Sequence, residues 1–546
     1  MTNKLRAGLC VIGPGQGGRL VAAGWALETA LSKGRAFGGR VVHISGAAAP
    51  SSALPADRVS AARVFMEAGR RVHAARLAVS TGLIAPPQNT VGFDAAELVA
   101  DRNAAGRYMR LAGRAGLAAG APASGALANG TLATGTDAHL KAIGVTRLEG
   151  HAVFTAPDTV MVGGQSVTAR TFVLAPERRW HVPAIPGLGE IDYLTPDRPL
   201  NLSRPSETLA VIGFSGAALG LAQAHRRMGA RVVVLGGDEN EGDTEGFDSE
   251  VLARIDSCLN REGIVIRRDL RLVRVESRGR EAELVAEGPG GEERFVVGQV
   301  LVAGRQEPLF APVPDEPADD SEPSERDDGG LRAGLILCKN GVPICDSRLR
   351  TTNHRVFLIG GGPDPFSEAL EWQASAIVGH ALRRKYLRAL PKVRMMPLEP
   401  QVAVVGASES EAQARNWRGL PFFASRRPVR VMRLPLPAAG ILPKEVAAGG
   451  HTGGEVRLVV SPGGKVLGCT LIGEGAADQA GMWMLAVSNR MSVGEIAGAG
   501  MPDATGAAVS FAAARSYLHH PRFAGVVSLL RDFPFLLATL RRWFAR

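Results

Sequence analysis

Short apolar runs that end in glycine and feed alanine-rich stretches set the pattern of this chain. Arg6–Ile12 is continuously apolar after its first residue and reads as a buried strand. Arg19–Leu31, rich in Ala and Leu, reads as a helix, and Arg40–Ile44 as a second strand. Ala61–Leu77 has helical spacing, whereas residues 112–136 are dominated by Gly, Ala, Ser and Thr and suggest a flexible or poorly packed segment. From Leu140 short alternating strands run to Val173 and Leu174, and Ile185-Pro186-Gly187-Leu188 is a turn. The opening pattern then returns: a strand at Leu209–Ile212, a helix to Met228, a strand at Arg231–Leu235 and a closing strand at Val300–Val302. Residues 313–330 carry eight acids among prolines and read as a solvated loop. Val356–Ile359 is a strand ending at Gly360, followed by a helix over Ala369–Leu382. Residues 395–510 form a separate α/β unit with strands at Val402–Val405, Val456–Val460 and Val466–Ile472.

The two strand-to-helix turns carry the candidate chemistry. The first reads Gly13-Pro14-Gly15-Gln16-Gly17-Gly18, a G-x-G-x-x-G in the context that gives the pattern meaning. Gly13 permits the tight turn, Gly15 lets backbone approach a pyrophosphate, and Gly18 lets helix and strand pack closely. Glycine at such a turn also serves packing alone, but the extra Gly17 is stricter than packing requires. The second turn, Gly213-Phe214-Ser215-Gly216-Ala217-Ala218, has Ser215 and Ala218 where the later glycines belong.

With 546 residues the chain exceeds one core, and three domains are expected. The net charge of +10 is read as general surface charge, with the C-terminal tail as the candidate basic patch and no nucleic-acid partner expected. The five cysteines, Cys10, Cys258, Cys338, Cys345 and Cys469, form no C-x-x-C or C-x-x-x-x-C. Cys10 and Cys469 are expected to be buried and inert, and Cys338 and Cys345, flanking Asn340-Gly341, to be packed thiols across a hairpin. Met1–Ala7 lacks a signal-peptide pattern, and no apolar stretch reaches the roughly 18 residues of a spanning helix, so the cytoplasm is the expected location. In the tail, Phe523–Leu530 and Phe533–Leu540 lie beside Arg531, Arg541, Arg542 and Arg546. This segment suits a docked terminal helix or, alternatively, peripheral contact with an anionic membrane at its inner face.

In this order the landmarks resemble the pyridine nucleotide–disulfide oxidoreductases, nearest to the dihydrolipoamide dehydrogenase and mercuric reductase branches. The resemblance rests on both glycine turns, Ile185-Pro186-Gly187-Leu188, Tyr193-Leu194-Thr195, Leu221-Ala222-Gln223, Asp346–Thr351, Trp372-Gln373 and Glu399–Gly406. It implies an α/β protein with two Rossmann-like FAD/NAD(P)-type domains and a C-terminal α/β dimerisation domain. The implied boundaries are 1–200 with 331–390 for the FAD-type domain and 201–312 for the NAD(P)-type domain. An acidic loop over 313–330, a dimerisation domain over 391–515 and a basic amphipathic tail over 516–546 complete the chain. FAD on the first unit, NAD(P)H on the second and a homodimer are implied. A heterodimer with an intact paralogue is the other assembly considered, because in this family each active site borrows a histidine from the partner subunit.

The chemical groups of the family are largely replaced. Where the resemblance places the redox dithiol and its Pro-Ser-Lys, the chain reads Ala48-Ala49-Pro50-Ser51-Ser52, and an alanine forms no thiolate. Met501 and Gly506 stand at the positions of the family's His and Glu. Ser45 replaces the acid that would hold the adenosine ribose, Ala175-Pro176-Glu177 replaces Ala-Thr-Gly, and Gly361 aligns with the ribityl aspartate, with Asp364 nearby in sequence. On the second unit Gly236 replaces the ribose acid, Gly220 a glutamate near the nicotinamide, and Val302-Ala303-Gly304-Arg305 lacks the usual threonine. Gly13, Gly15, Gly17, Gly18, Gly360, Gly361 and Gly213 are therefore the expected nucleotide contacts, no catalytic or metal-ligating residue is named, and NAD(P)H binding is doubtful. The expected function is a non-catalytic or atypical flavoprotein used for binding or assembly. The alternative is an NAD(P)H-dependent flavin oxidoreductase serving a non-thiol acceptor.

Overall fold

A strand whose residues alternate between two cores opens the chain: β1 (Lys4–Ile12) sends Leu9 and Val11 to one face and Cys10 to the other. The computed structural model describes residues 4–13, 16–31, 40–45, 66, 69, 70, 73, 137–196, 206–236, 246–309, 333–337, 342–346, 348–360, 370–381, 391–414, 429–436, 454–473, 475–499 and 507–518. These fall into two compact units, residues 1–244 with 259–390, and residues 245–258 with 391–546.

The first unit holds two large sheets. One runs β3-β2-β1-β6-β5-β4, with β16 also on β6. Its strands are β2 (Val41–Ser45), β3 (Thr146–Glu149), β4 (Ala152–Ala156), β5 (Thr159–Val162), β6 (Gln165–Leu174) and β16 (Val356–Leu358). The β3, β2, β1, β6 and β16 pairings are parallel, and β4 to β6 form an antiparallel meander. Helix α1 (Gln16–Leu31) begins earlier than the apolar spacing indicates and packs on one face, burying Val21 and Trp25 against Leu9, Val11 and Val173. Phe154 and Phe172 close the other face, their ring centroids 5.2 Å apart.

The other large sheet runs β13-β12-β11-β10-β9-β14-β8. Here β8 (Tyr193–Leu194), β9 (Thr208–Ile212), β10 (Arg231–Gly236) and β14 (Gln299–Val302) are parallel with the start of β11 (Ile264–Arg278). The rest of β11 continues into an antiparallel ribbon with β12 (Glu281–Gly288) and β13 (Gly291–Val297). Its exposed faces alternate Arg and Glu, which hides these strands from a search for apolar runs. Helix α2 (Gly216–Arg227) crosses from β9 to β10, and Arg227 at its end donates to both Glu262 carboxylate oxygens at 2.9 Å. Pro186 accepts from the Val275 amide at 2.8 Å, and a Cβ on Gly187 would stand 1.9 Å from the Val275 carbonyl, so that turn needs glycine.

The second unit is built on an antiparallel sheet, β17-β18-β21-β20-β19, from β17 (Val393–Met396), β18 (Val402–Gly406), β19 (Arg430–Leu436), β20 (Gly454–Val460) and β21 (Val466–Ile472). Trp483, buried in the helix Ala476–Ser488, donates to the Ser510 hydroxyl at 3.1 Å, and Ser510 donates to Gln479 at 2.7 Å. Arg457, 2% exposed, is held by both oxygens of Glu455 and by Glu250. Among the described residues no helix is long and apolar enough to cross a membrane. The 313–330 loop and the tail beyond residue 518 lie outside the described residues.

Candidate functional site

The two glycine turns are closed by the same pair of backbone bonds. At the first, the Gly13 amide donates to Ile44 at 2.9 Å and the Ala175 amide to Ile12 at 2.8 Å. At the second, the Gly213 amide donates to Leu235 at 2.9 Å and the Ala303 amide to Ile212 at 2.9 Å. Each turn thus sits where its first strand meets two parallel neighbours, at the carboxyl ends where α/β sheets receive ligands.

At the first turn Gly13 has φ 118°, and a Cβ there would lie 2.1 Å from the Ala175 carbonyl oxygen. Gly18, in the first turn of α1, would bring a Cβ to 2.7 Å from the Ala175 methyl and 2.8 Å from Val11. These close approaches bring the helix N-terminus, with its free N–H donors, onto the sheet edge, the arrangement that receives a pyrophosphate. Gly17 lies on the same helical turn, while Gly15 is outside the described residues. His43, which pattern reading passed over, is buried in β2, and its Nε2–H donates to the Gly13 carbonyl at 3.0 Å. A histidine inside an otherwise apolar strand was the available signal.

The adenosine end of this site differs. Ser45, 5% exposed at the end of β2, accepts from Arg147 Nε on β3 at 3.2 Å. The position therefore offers a hydroxyl and a guanidinium, where a ribose diol is usually met by a carboxylate. Gly360, at the end of β16, has its amide held by Gln373 Oε1 at 3.1 Å, on the helix Leu370–Ala381. Gly361, Asp364, Ala48, Ser52, Met501 and Gly506 lie outside the described residues.

At the second turn Gly213 has φ 110°, and a Cβ there would meet Gly304 Cα at 2.3 Å. Ser215 is the N-cap of α2, its hydroxyl accepting from the Ala218 amide at 3.1 Å and donating to the Ala303 carbonyl at 2.5 Å. Phe214 is fully buried, with the Arg268 guanidinium 4.1 Å from its ring centroid. Farther along α2, His225 Nδ1 faces the Leu221 carbonyl at 2.8 Å, and burial pushes its pKa down to about 4 against that bond.

Among the described residues four cysteines are free thiols. Cys10, Cys258 and Cys469 are buried, and burial pushes the Cys10 and Cys469 thiols up. Cys345 is exposed, which corrects the expectation of packing; it sits in a local antiparallel bridge to Thr351, with its pKa raised by partial burial and then by Asp346. Cys338 is outside the described residues. Among the described residues no cluster of His, Cys, Asp or Glu is placed to hold a metal ion.

The family model for pyridine nucleotide-disulphide oxidoreductases matches residues 9–308, more than half of the chain. Mercuric reductase from Staphylococcus aureus is 27% identical over 346 residues, covering 62% of this chain and 57% of that protein. For the Bacillus cereus mercuric reductase the shares are 65% and 52%, so the matched region spans little more than half of these relatives. Dihydrolipoyl dehydrogenase from Mycoplasma pneumoniae is 24% identical over 65% of this chain and 72% of its own. The HOCl-induced flavoprotein disulfide reductase RclA from Escherichia coli shares the fold, with a TM-score of 0.59 at 15% identity over 91% of this chain and 97% of that chain.

Proposed function

Because this chain belongs to the pyridine nucleotide-disulphide oxidoreductase family, a family of FAD-dependent α/β proteins, we propose that it is a flavoprotein-fold member working without the dithiol relay, for binding or assembly. One observation carries the reading: no cysteine stands between Cys10 and Cys258, and Cys10 is buried in the middle of β1 with its thiol held protonated. A dithiol beside the flavin needs an ionisable thiolate, and this stretch supplies none.

The first turn suits a dinucleotide pyrophosphate, since the close approach of Gly13 and Gly18 to Ala175 and Val11 brings the N-terminus of α1, with its free N–H donors, to the carboxyl edge of the sheet. Gly13, Gly15, Gly17 and Gly18 are the groups that would receive the phosphates, with Gly360 and Gly361 toward the ribityl chain. When bound, FAD supplies hydride and single-electron chemistry. Ser45 would offer the adenosine ribose a hydroxyl in place of a carboxylate, which would make binding weaker than a complete site allows. The C-terminal unit supports pairing with a second copy or with an intact paralogue, and the tail supports contact with an anionic membrane. The expected site of action is the cytoplasm.

The test is the purified full-length protein. Its visible spectrum and the nucleotide released on denaturation, identified by mass spectrometry, are expected to reveal FAD or another adenine dinucleotide. Steady-state assays are expected to give no reduction of lipoamide or mercuric ion by NADH or NADPH. Turnover of either at an ordinary enzyme rate overturns the reading.

A further inference from the structure

We propose that the second nucleotide-type unit is closed to NAD(P)H by the chain itself, with the Phe214 ring filling the place of the adenosine ribose. In a dinucleotide fold that ribose is met at the end of the second strand, beside the glycine turn, by a carboxylate for NAD or by a nearby arginine for NADP. The second strand here is β10, and its last residue is Gly236. A Cβ built on Gly236 would stand 2.0 Å from Phe214 Cε2 and 2.9 Å from both Cδ2 and Cζ. No residue with a side chain, a carboxylate included, fits at 236 while that ring is present, so neither form of the coenzyme finds its ribose position open. The ring is fixed: it is 0% exposed, and the Arg268 guanidinium lies over its face at 4.1 Å.

An independent observation closes the pyrophosphate end. In the order β10-β9-β14, strand succession reverses between β9 and β14, and the phosphates of a bound dinucleotide occupy that crevice. Ser215, which leaves β9, donates across it to the carbonyl of Ala303, which leaves β14, at 2.5 Å. The same hydroxyl takes the Ala218 amide, one of the helix N-terminal donors a phosphate would use. Ribose position and phosphate crevice are thus both satisfied by side chains of the unit. The inference stands whether or not a flavin occupies the first unit, and it weighs against the NAD(P)H-dependent alternative.

The experiment is photolabelling of the full-length protein with an azido-adenine analogue of NAD, competed with NADH and NADPH and mapped by peptide mass spectrometry. Mapping keeps a dinucleotide caught at the first glycine turn separate from one caught at the second, so failure of this inference and failure of the flavin reading are distinguishable. The expected result is no competable label within 206–236 or 264–278 of the wild-type protein. The triple variant Phe214→Ser, Ser215→Gly, Gly236→Asp, which clears both the ribose position and the phosphate crevice, is expected to gain at least about tenfold more label there, the gain worth about 1.4 kcal/mol. Phe214→Ala with Ser215→Gly and Gly236 retained is the second variant, expected to gain label to a smaller extent, and circular dichroism checks both for wild-type secondary structure. Competable label on those wild-type segments overturns the proposal. A folded variant that stays unlabelled also overturns it, because the ring and the serine are then not what close the site.

Discussion

Replacing His225 by Asn is expected to remove a defined part of the acid sensitivity of this protein. His225 is 3% exposed on α2, and its folded-state pKa is pushed by burial from 6.5 to about 4. The folded chain therefore keeps it neutral through a range in which the unfolded chain is already protonated. Between those values the unfolded state binds more protons, so stability is full above about pH 6.5 and falls as pH drops toward about 4. A gap of roughly two and a half pH units, at about 1.4 kcal/mol each, gives a total loss of about 3 kcal/mol. About 2 kcal/mol of it is gone by pH 5. His225→Asn keeps a donor for the Leu221 carbonyl and removes the titration. Urea unfolding of both proteins at neutral pH and at about pH 5, followed by circular dichroism, measures the difference. The separation between variant and wild type should close by about 2 kcal/mol on acidification. A constant separation at both pH values would show that the buried imidazole is not the titrating group.

Two further outcomes are expected. Gly13→Ala drives a Cβ into the Ala175 carbonyl at a φ of 118°, and should cost about 2–4 kcal/mol and strip bound nucleotide. Wild-type melting temperature and nucleotide content after gel filtration would contradict this. Glu455→Ala leaves the buried Arg457 without its two-pronged partner and should cost about 3–5 kcal/mol, whereas Glu455→Ala with Arg457→Met should recover most of it. Calorimetric melting of the single and double variants decides between these outcomes.

Parallel strands such as Leu209–Ile212 were legible because a short apolar run is stopped by glycine, here Gly213. The antiparallel ribbon from 271 to 297 was not, because solvent on its faces permits charged residues at strand positions. Ser215 was legible as a glycine replaced, but not as a bond to Ala303, which lies 88 residues away in sequence. The meeting of Phe214 with Gly236 is likewise a product of packing between neighbouring strand ends, and no local pattern encodes it. His43 and Arg147 act on the first turn through strand pairing, so their roles depend on a register that spacing alone does not fix.

The contact between residues 214 and 236 also restricts how this lineage can change. An aspartate introduced at 236 first has no room, and a small residue introduced at 214 first leaves a hole under Arg268 and nothing to grip a sugar. Neither change alone would leave both room and a partner for a ribose. A ribose-binding acid on this lobe would therefore demand paired change, an epistatic barrier set by the packing of residues 214 and 236.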